Sequence, residues 1–214
     1  MVLKLYGSRW SPNTKRVAMV LLEKNVPFQA IEVNMIDQEH KTAAYAEKQP
    51  FGQVPYIDDD GLILYESRAI CRYICKKYEH QGASLVPTGL QSFAMFEQAA
   101  SNEIYNFDVY VQGAAMESVV KPALGQKSNK TIYDKNVKTL SAKLDVYDNI
   151  LNRQRYIAGD NLTLADLFHI PYMVELEDAG CDIMYSKPNV ARWWRELLAR
   201  ESWKAVAATI DSNI

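Results

Sequence analysis

The chain has 214 residues, with 24 Lys and Arg against 26 Asp and Glu and a net charge of −2, so it is long enough for one sizeable domain or two small ones. The near-balanced charge, with no basic block, argues against nucleic acid as a partner. The longest apolar run, "VAMVLL" at 17–22, falls far short of the roughly 18 residues that span a bilayer, and the opening "MVLKLY" is too short for a signal peptide. The expectation is a soluble cytoplasmic protein without membrane insertion.

In chain order, "VLKLY" at 2–6 reads as a short apolar strand and 13–25 as a helix, with Val17, Val20, Leu21 and Lys24 at helical spacing. "FQAIEV" at 28–33 alternates as a second strand, and the β-α-β order implies a parallel pair joined by a right-handed crossover. After the polar stretch 34–49, "VPYIDDDGLILY" holds two β-prone runs around Asp60-Gly61, a hairpin turn signal. From 66 to 78, Ile70, Tyr73, Ile74 and Tyr78 form an apolar stripe opposite Arg68, Arg72 and Lys76, which predicts an amphipathic helix covering the sheet. Together these elements make a thioredoxin-like α/β domain over 1–79. Residues 80–90, with Gly82, Pro87 and Gly89, read as a linker. Residues 91–214 read as an all-α helical bundle, because every strong signal there has helical period.

In "NLTLADLFHIP", Thr163 and Asp166 stand three apart as a capping box, and Leu162 and Leu167 occupy the hydrophobic-staple positions. Pro171 is expected to kink the helix that starts there. His169 reads as a core histidine rather than a catalytic base, because no acidic partner or nucleophile stands near it in sequence. Cys71, Cys75 and Cys181 make no disulfide framework in a chain of this size. Cys71 and Cys75 share a helical face without accompanying ligands, so the reading is buried apolar residues and no metal.

The stretch "WSPNTKR" at 10–16 lies where a thioredoxin-like domain carries its Cys-Pro-x-Cys pair, yet both sulfur positions are oxygen, Ser11 and Thr14. Ser-Pro is also an ordinary helix start, with Ser at the N-cap. Four polar patches fall on the loops at one end of the proposed sheet: Ser11 with Pro12, His40 with Lys41, Gln53 with Val54 and Pro55, and Glu66 with Ser67. Two of these patches are helix N-termini, whose free N–H groups favour anions. Together they suit a small, extended ligand with carboxylates and an ionisable group. A cis Val54–Pro55 bond would turn the Val54 backbone groups toward such a ligand, and a trans bond in an edge strand is the alternative.

"SPNTKRV", "EHK", "PFGQVP", "ESRAICRYI", "KLDVYDNIL", "YIAGDNLTLADLFHIP" and "VARWW" resemble the glutathione S-transferases, most of all the phi class, in order and spacing across nearly the whole chain. Gln49 stands where that pattern has Asn. The resemblance implies that Ser11 meets the glutathione sulfur and that His40 and Lys41 hold the glycine carboxylate. Gln53 and the Val54 backbone would take the cysteinyl part, and Glu66 and Ser67 the γ-glutamyl end. It also implies a cis Pro55, a homodimer in which Phe51 packs into the partner, and an electrophile pocket between the domains that includes Trp10, Pro12, Met35 and Met116. The implied activity is conjugation of the glutathione thiolate to hydrophobic electrophiles, with reduction of organic hydroperoxides as a second activity. A ligandin-type carrier of apolar or phenolic molecules is the alternative.

A serine suits this chemistry. It cannot form mixed disulfides with glutathione as a cysteine would. Its oxygen can accept from a helix N–H while its proton is donated to a thiolate. Lowering a thiol pKa of about 8.5 by about two units makes the thiolate the major form at pH 7 and needs on the order of 2.7 kcal/mol. A charge-assisted hydrogen bond at a helix N-terminus supplies that amount.

Overall fold

The structure is a computed structural model and is described over residues 2–211. The chain forms two compact units, one from the residues up to Val86 together with those from Arg200 onward, the other Pro87–Ala199.

The first unit opens β1 (Leu3–Gly7), α1 (Pro12–Glu23) and β2 (Phe28–Glu32). A 3-10 turn (Glu39–Lys41) and the short α2 (Ala43–Ala46) follow, then β3 (Tyr56–Asp59), β4 (Leu62–Tyr65) and α3 (Ser67–Lys77). The sheet order is β2-β1-β3-β4, with β1 parallel to β2 and the other pairs antiparallel. This is the thioredoxin-like arrangement that the alternating pattern predicts. Leu3 and Leu5 of β1 and Ile57 of β3 are buried in the sheet, as are Val17, Val20 and Leu21 of α1 and Ile70 and Ile74 of α3, with α1 and α3 packed together. A second cluster of Val33, Tyr45, Val54 and Tyr56 is joined by Tyr6, whose ring stacks on Tyr56 at 4.5 Å. Removing a core side chain such as Leu5 would cost about 2–5 kcal/mol.

Two features depart from the reading of 80–90 as a linker and of all later residues as one bundle. The stretch after α3 is tied to the end of α1: Lys24 Nζ donates to the Ala83 carbonyl at 2.8 Å and Ala83 N–H to the Glu23 carbonyl at 2.9 Å. Gly82 has φ +61, and a Cβ there would lie 2.3 Å from the Glu23 oxygen, so a glycine lets the two backbones meet. The last helix, α11 (Glu201–Asp211), packs on α1. Glu23 accepts from Arg200 Nε at 2.5 Å and Nη2 at 2.6 Å, and from the Ser202 hydroxyl. Such a contact across the length of the chain leaves no trace in a local pattern.

The second unit is helical. One long run comprises α4 (Leu90–Glu103), a π turn (Ile104–Asp108), α5 (Val109–Ala115), a second π turn (Met116–Val120) and α6 (Lys121–Ala123). Then come α7 (Lys130–Leu151), α8 (Leu164–Leu167), α9 (Ile170–Asp178), a 3-10 turn (Ile183–Tyr185) and α10 (Pro188–Leu198). The expected capping box is present at the start of α8. The Thr163 N–H and hydroxyl both donate to Asp166 Oδ2, at 2.9 and 3.0 Å, and the other carboxylate oxygen accepts from Ile157 N–H and Trp193 Nε1, both at 2.9 Å. Pro171 stands in the first turn of a separate helix, α9, so the expected kink is a break. A proline ring fits a first turn, where no N–H partner is needed. His169 is buried, with Nδ1 2.7 Å from the Ala165 carbonyl and Nε2 3.1 Å from the Tyr147 hydroxyl, as a satisfied core histidine should be. No helix among the described residues is long and apolar enough to cross a membrane.

Candidate active site

The register of the first sheet places the polar patches at one edge. Tyr56 pairs with Tyr6 on one side and Tyr65 on the other. The residues before β3 (Gln53, Val54, Pro55) therefore lie beside the end of β1, which runs on to Ser11, and beside the end of β4, which runs on to Glu66.

Ser11 is the N-cap of α1, with φ −80° and ψ 123°, and its Oγ accepts from Thr14 N–H at 3.4 Å. Its own N–H donates to the Ser8 carbonyl at 2.9 Å, and Ser8 Oγ accepts from Trp10 N–H at 3.3 Å. Ser8 is buried and holds this turn closed. Glu66, with φ +70°, caps α3 through its backbone alone. Ser67, the first residue of α3, is buried. Its hydroxyl accepts from Arg16 Nη1 at 3.0 Å and donates to Asn13 Oδ1 at 3.3 Å. Arg16 also donates to Asn13 Oδ1 and is fully buried. The N-termini of α1 and α3 are thereby joined by side chains.

The middle of the edge is held from below. Lys41 Nζ donates to the Gly52 carbonyl at 2.7 Å, Tyr45 hydroxyl to the Gln53 carbonyl at 2.8 Å, and Gln53 N–H to Gln49 Oε1 at 3.1 Å. Gln49 is buried and serves as a backbone clamp in the place where the family pattern has Asn. The Val54–Pro55 bond is cis. Among the described residues, the Val54 N–H and C=O have no partner within the protein. Neither the Gln53 amide side chain nor the Glu66 carboxylate takes part in the network. Burial, helped by Lys41, holds the His40 imidazole below its ordinary pKa, and its buried Nδ1 has no partner among the described residues.

Six expected ligand positions thus meet at one sheet edge: Ser11, Lys41, Gln53, Val54, Glu66 and Ser67, with His40 beside Lys41. Trp10 and Met35 are exposed in the adjoining loops, at 57 % and 37 %, and Arg9 lies over the Trp10 ring at 5.6 Å. Pro12 is buried in the first turn of α1. Met116 belongs to the other unit, half-exposed at the start of a π turn. Phe51 is 64 % exposed and meets the Tyr65 ring edge-on at 6.0 Å. Asn13, Arg16 and Tyr45 escape a reading of the sequence alone, and Gln49 enters it only as a departure from the family pattern, because their role is to hold other residues. The three-residue spacing of Asn13 and Arg16 on one helix face is the only local hint. Cys71 and Cys75 are buried, and burial raises both thiols, Cys75 to about 12. They are inert core residues. Among the described residues, no group of three or more His, Cys, Asp or Glu is placed to hold a metal ion.

Residues 5–82 match the glutathione S-transferase N-terminal domain and residues 111–201 the glutathione S-transferase C-terminal domain. The chain belongs to the glutathione S-transferase family. It is 41 % identical to glutathione S-transferase PM239X14 of Arabidopsis thaliana, over 91 % of this chain and 90 % of the relative. Among solved structures it is similar to glutathione transferase F2 from Populus trichocarpa, with a TM-score of 0.94, 38 % identity, and coverage of 99 % of this chain and 100 % of that one. Maize glutathione S-transferase I, solved with an atrazine glutathione conjugate, has a TM-score of 0.90 at 30 % identity with both chains fully covered. The likeness is to the phi class, as the motifs imply. This transferase is an enzyme with glutathione as its co-substrate.

Proposed function

We propose that this transferase ionises the glutathione thiol through the Ser11 hydroxyl and presents the thiolate to hydrophobic electrophiles. The observation that carries this reading is the cap geometry. Ser11 Oγ accepts from the Thr14 N–H, so its own hydrogen is left to donate to sulfur, at the positive end of a twelve-residue helix. Glu66 and the N-terminus of α3 would take the γ-glutamyl ammonium and carboxylate, with Ser67 beside them. The unpaired Val54 N–H and C=O would pair with the cysteinyl peptide groups, as an added strand pairs with a sheet edge. Gln53 would reach the same part of the tripeptide. Lys41 keeps two ammonium hydrogens after its bond to Gly52, and these with His40 would hold the glycine carboxylate.

In conjugation, the sulfur lone pair forms the new S–C bond and the leaving group departs with its bonding pair. With a hydroperoxide, the thiolate attacks the terminal oxygen and the O–O pair leaves as alkoxide, which takes a proton to become an alcohol. The sulfenic acid is then resolved by a second glutathione, giving the disulfide and water. Trp10 and Met35 offer apolar surface beside Ser11 for the electrophile, and Pro12 and Met116 are proposed as further pocket residues. The exposed Phe51 ring is the proposed contact with a second copy in a homodimer. The setting proposed is the cytoplasm, where glutathione is kept reduced.

The test is the ultraviolet thiolate absorbance of bound glutathione titrated against pH, for the wild type and Ser11→Ala. The expected result is an apparent pKa well below that of free glutathione, returning toward the free value in the variant. A shift that survives Ser11→Ala would reduce Ser11 to a helix cap. Tight binding with no shift at all would favour the carrier reading.

A further inference from the structure

Thr14 stands where the thioredoxin-like pattern has its second cysteine, and the residue it packs against gives it a role of its own. Its buried side chain fills the place where a Cβ on Gly7 would be: such an atom would lie 2.4 Å from Thr14 Oγ1 and 2.7 Å from Cγ2. Gly7 does not have a left-handed backbone, so what its missing side chain supplies is room. Its backbone is fixed by the sheet. The Gly7 carbonyl accepts from Val33 N–H at 2.9 Å, and Gly7 pairs with Glu32 of β2. The end of β1 is therefore a firm seat for residue 14.

The seat selects shape, not a hydroxyl. Thr14 Oγ1 is buried without a hydrogen-bond partner among the described residues, and such a group weakens a fold instead of holding it. The branched Cβ supplies two heavy atoms, both against Gly7, on a side chain with few rotamers. Their size sets how closely the first turn of α1 approaches β1. Thr14 also borders a cavity of about 290 Å³ lined by Leu5, Ala18, Leu22 and Phe28 among others. A side chain pushed off Gly7 thus has space to enter.

We infer that Thr14 is a positioning residue for the reacting thiol: wedged on Gly7, it sets the place of the N–H on which Ser11 Oγ rests, and so the direction of the serine hydrogen. This inference rests on the reading of Ser11 given above. The bond from Thr14 N–H to Ser11 Oγ is 3.4 Å long, beyond the usual upper value of about 3.2 Å. Little further movement of the first turn is needed to lose it. The Ser11 N–H is held separately by the Ser8 carbonyl, so the serine stays in place while its hydroxyl loses its orientation.

The test is the ultraviolet thiolate absorbance of bound glutathione titrated against pH, together with the pH profile of kcat/KM. The full-length variants are Thr14→Ala, Thr14→Val, Gly7→Ala and Ser11→Ala. In Thr14→Ala the apparent thiol pKa should rise by about one pH unit, the equivalent of one hydrogen bond. Below pH 7 kcat should fall several-fold, with little change in the KM for glutathione. Thr14→Val keeps the branched shape without the hydroxyl and should restore the wild-type value. Gly7→Ala should act like Thr14→Ala, and the two combined should be no worse than either alone, because both act on one contact. The Thr14 pair decides the outcome even where Gly7→Ala does not fold. An equal rise in Thr14→Val and Thr14→Ala overturns the inference by making the hydroxyl the acting group. A pKa lowering that is lost in Ser11→Ala but kept in Thr14→Ala overturns this inference alone, whereas one that survives Ser11→Ala overturns the Ser11 reading beneath it.

Discussion

The Arg16 guanidinium donates to the Ser67 hydroxyl at 3.0 Å, and so links α1 to the first residue of α3. Asn13 closes the triangle by accepting from both. Two helix N-termini that would hold the glutathione sulfur and the γ-glutamyl end are thus kept at one separation by a buried fork. Arg16→Lys keeps the charge but loses the planar fork. It should cost on the order of 2 kcal/mol and raise the KM for glutathione more than it lowers kcat. Urea unfolding with steady-state kinetics checks this. Unchanged KM with lowered stability would make the triangle purely structural.

Glu23 ties the last helix to the first. Burial works to raise its carboxyl pKa, but the bonds from Arg200 and Ser202 prevail and hold it below the ordinary value of 4.5. A folded-state value below the unfolded one means that the added stability is fully present above about pH 4.5 and is lost as pH falls through the folded value. Arg200→Gln should destabilise by about 2–3 kcal/mol at neutral pH, since a carboxylate is left buried without its cation. The loss should shrink below pH 4.5. Chemical denaturation of both proteins between pH 3 and 8 decides it, and an equal loss at all pH values would contradict the assignment.

His169 gives a second pH dependence with a different window. Burial holds the imidazole down at about 4, against 6.5 unfolded. The neutral form is favoured on folding, so the contribution is complete above about 6.5 and is lost between 6.5 and 4, on the order of 3 kcal/mol in all. Asp166, whose carboxyl burial pushes upward, works in the opposite direction across the carboxylate range. The difference between wild type and His169→Gln therefore isolates the histidine. Wild-type stability should fall more steeply than that of His169→Gln from pH 6.5 to 5, and parallel curves would show that His169 titrates near its ordinary value.

Gly52 sits in the left-handed region at φ +58, and a Cβ there would lie 2.9 Å from the His40 carbonyl. Gly52→Ala should cost about 1–3 kcal/mol, and it should displace Lys41 from the Gly52 carbonyl. The expected kinetic result is a several-fold rise in the KM for glutathione with a smaller change in kcat. Equal loss in both parameters would point to general misfolding.

Much of this protein is written locally. The β-α-β order, the Asp60-Gly61 hairpin and the Thr163–Asp166 capping box depend on residues a few positions apart. Periodicity and turn chemistry act at that range, so the pattern carries them. Ser11 as an N-cap follows from Ser-Pro before an apolar helix, and the motif order across the chain identifies the family. Other features required the folded chain. Lys24 shares the helical spacing of Val17, Val20 and Leu21, but only the fold shows that this cation is buried with Nζ on the Ala83 carbonyl. Arg16 looks like surface charge and is fully buried. A long cation enters a core only where distant groups satisfy its hydrogens, and neither Ser67 nor Ala83 is near its cation in sequence. The docking of α11 on α1 is likewise a sum of contacts between separate elements. The sequence alone determined which elements form and which family's chemistry they serve. Only tertiary structure decided which charges are buried and what pairs with them, because that depends on partners brought together by folding.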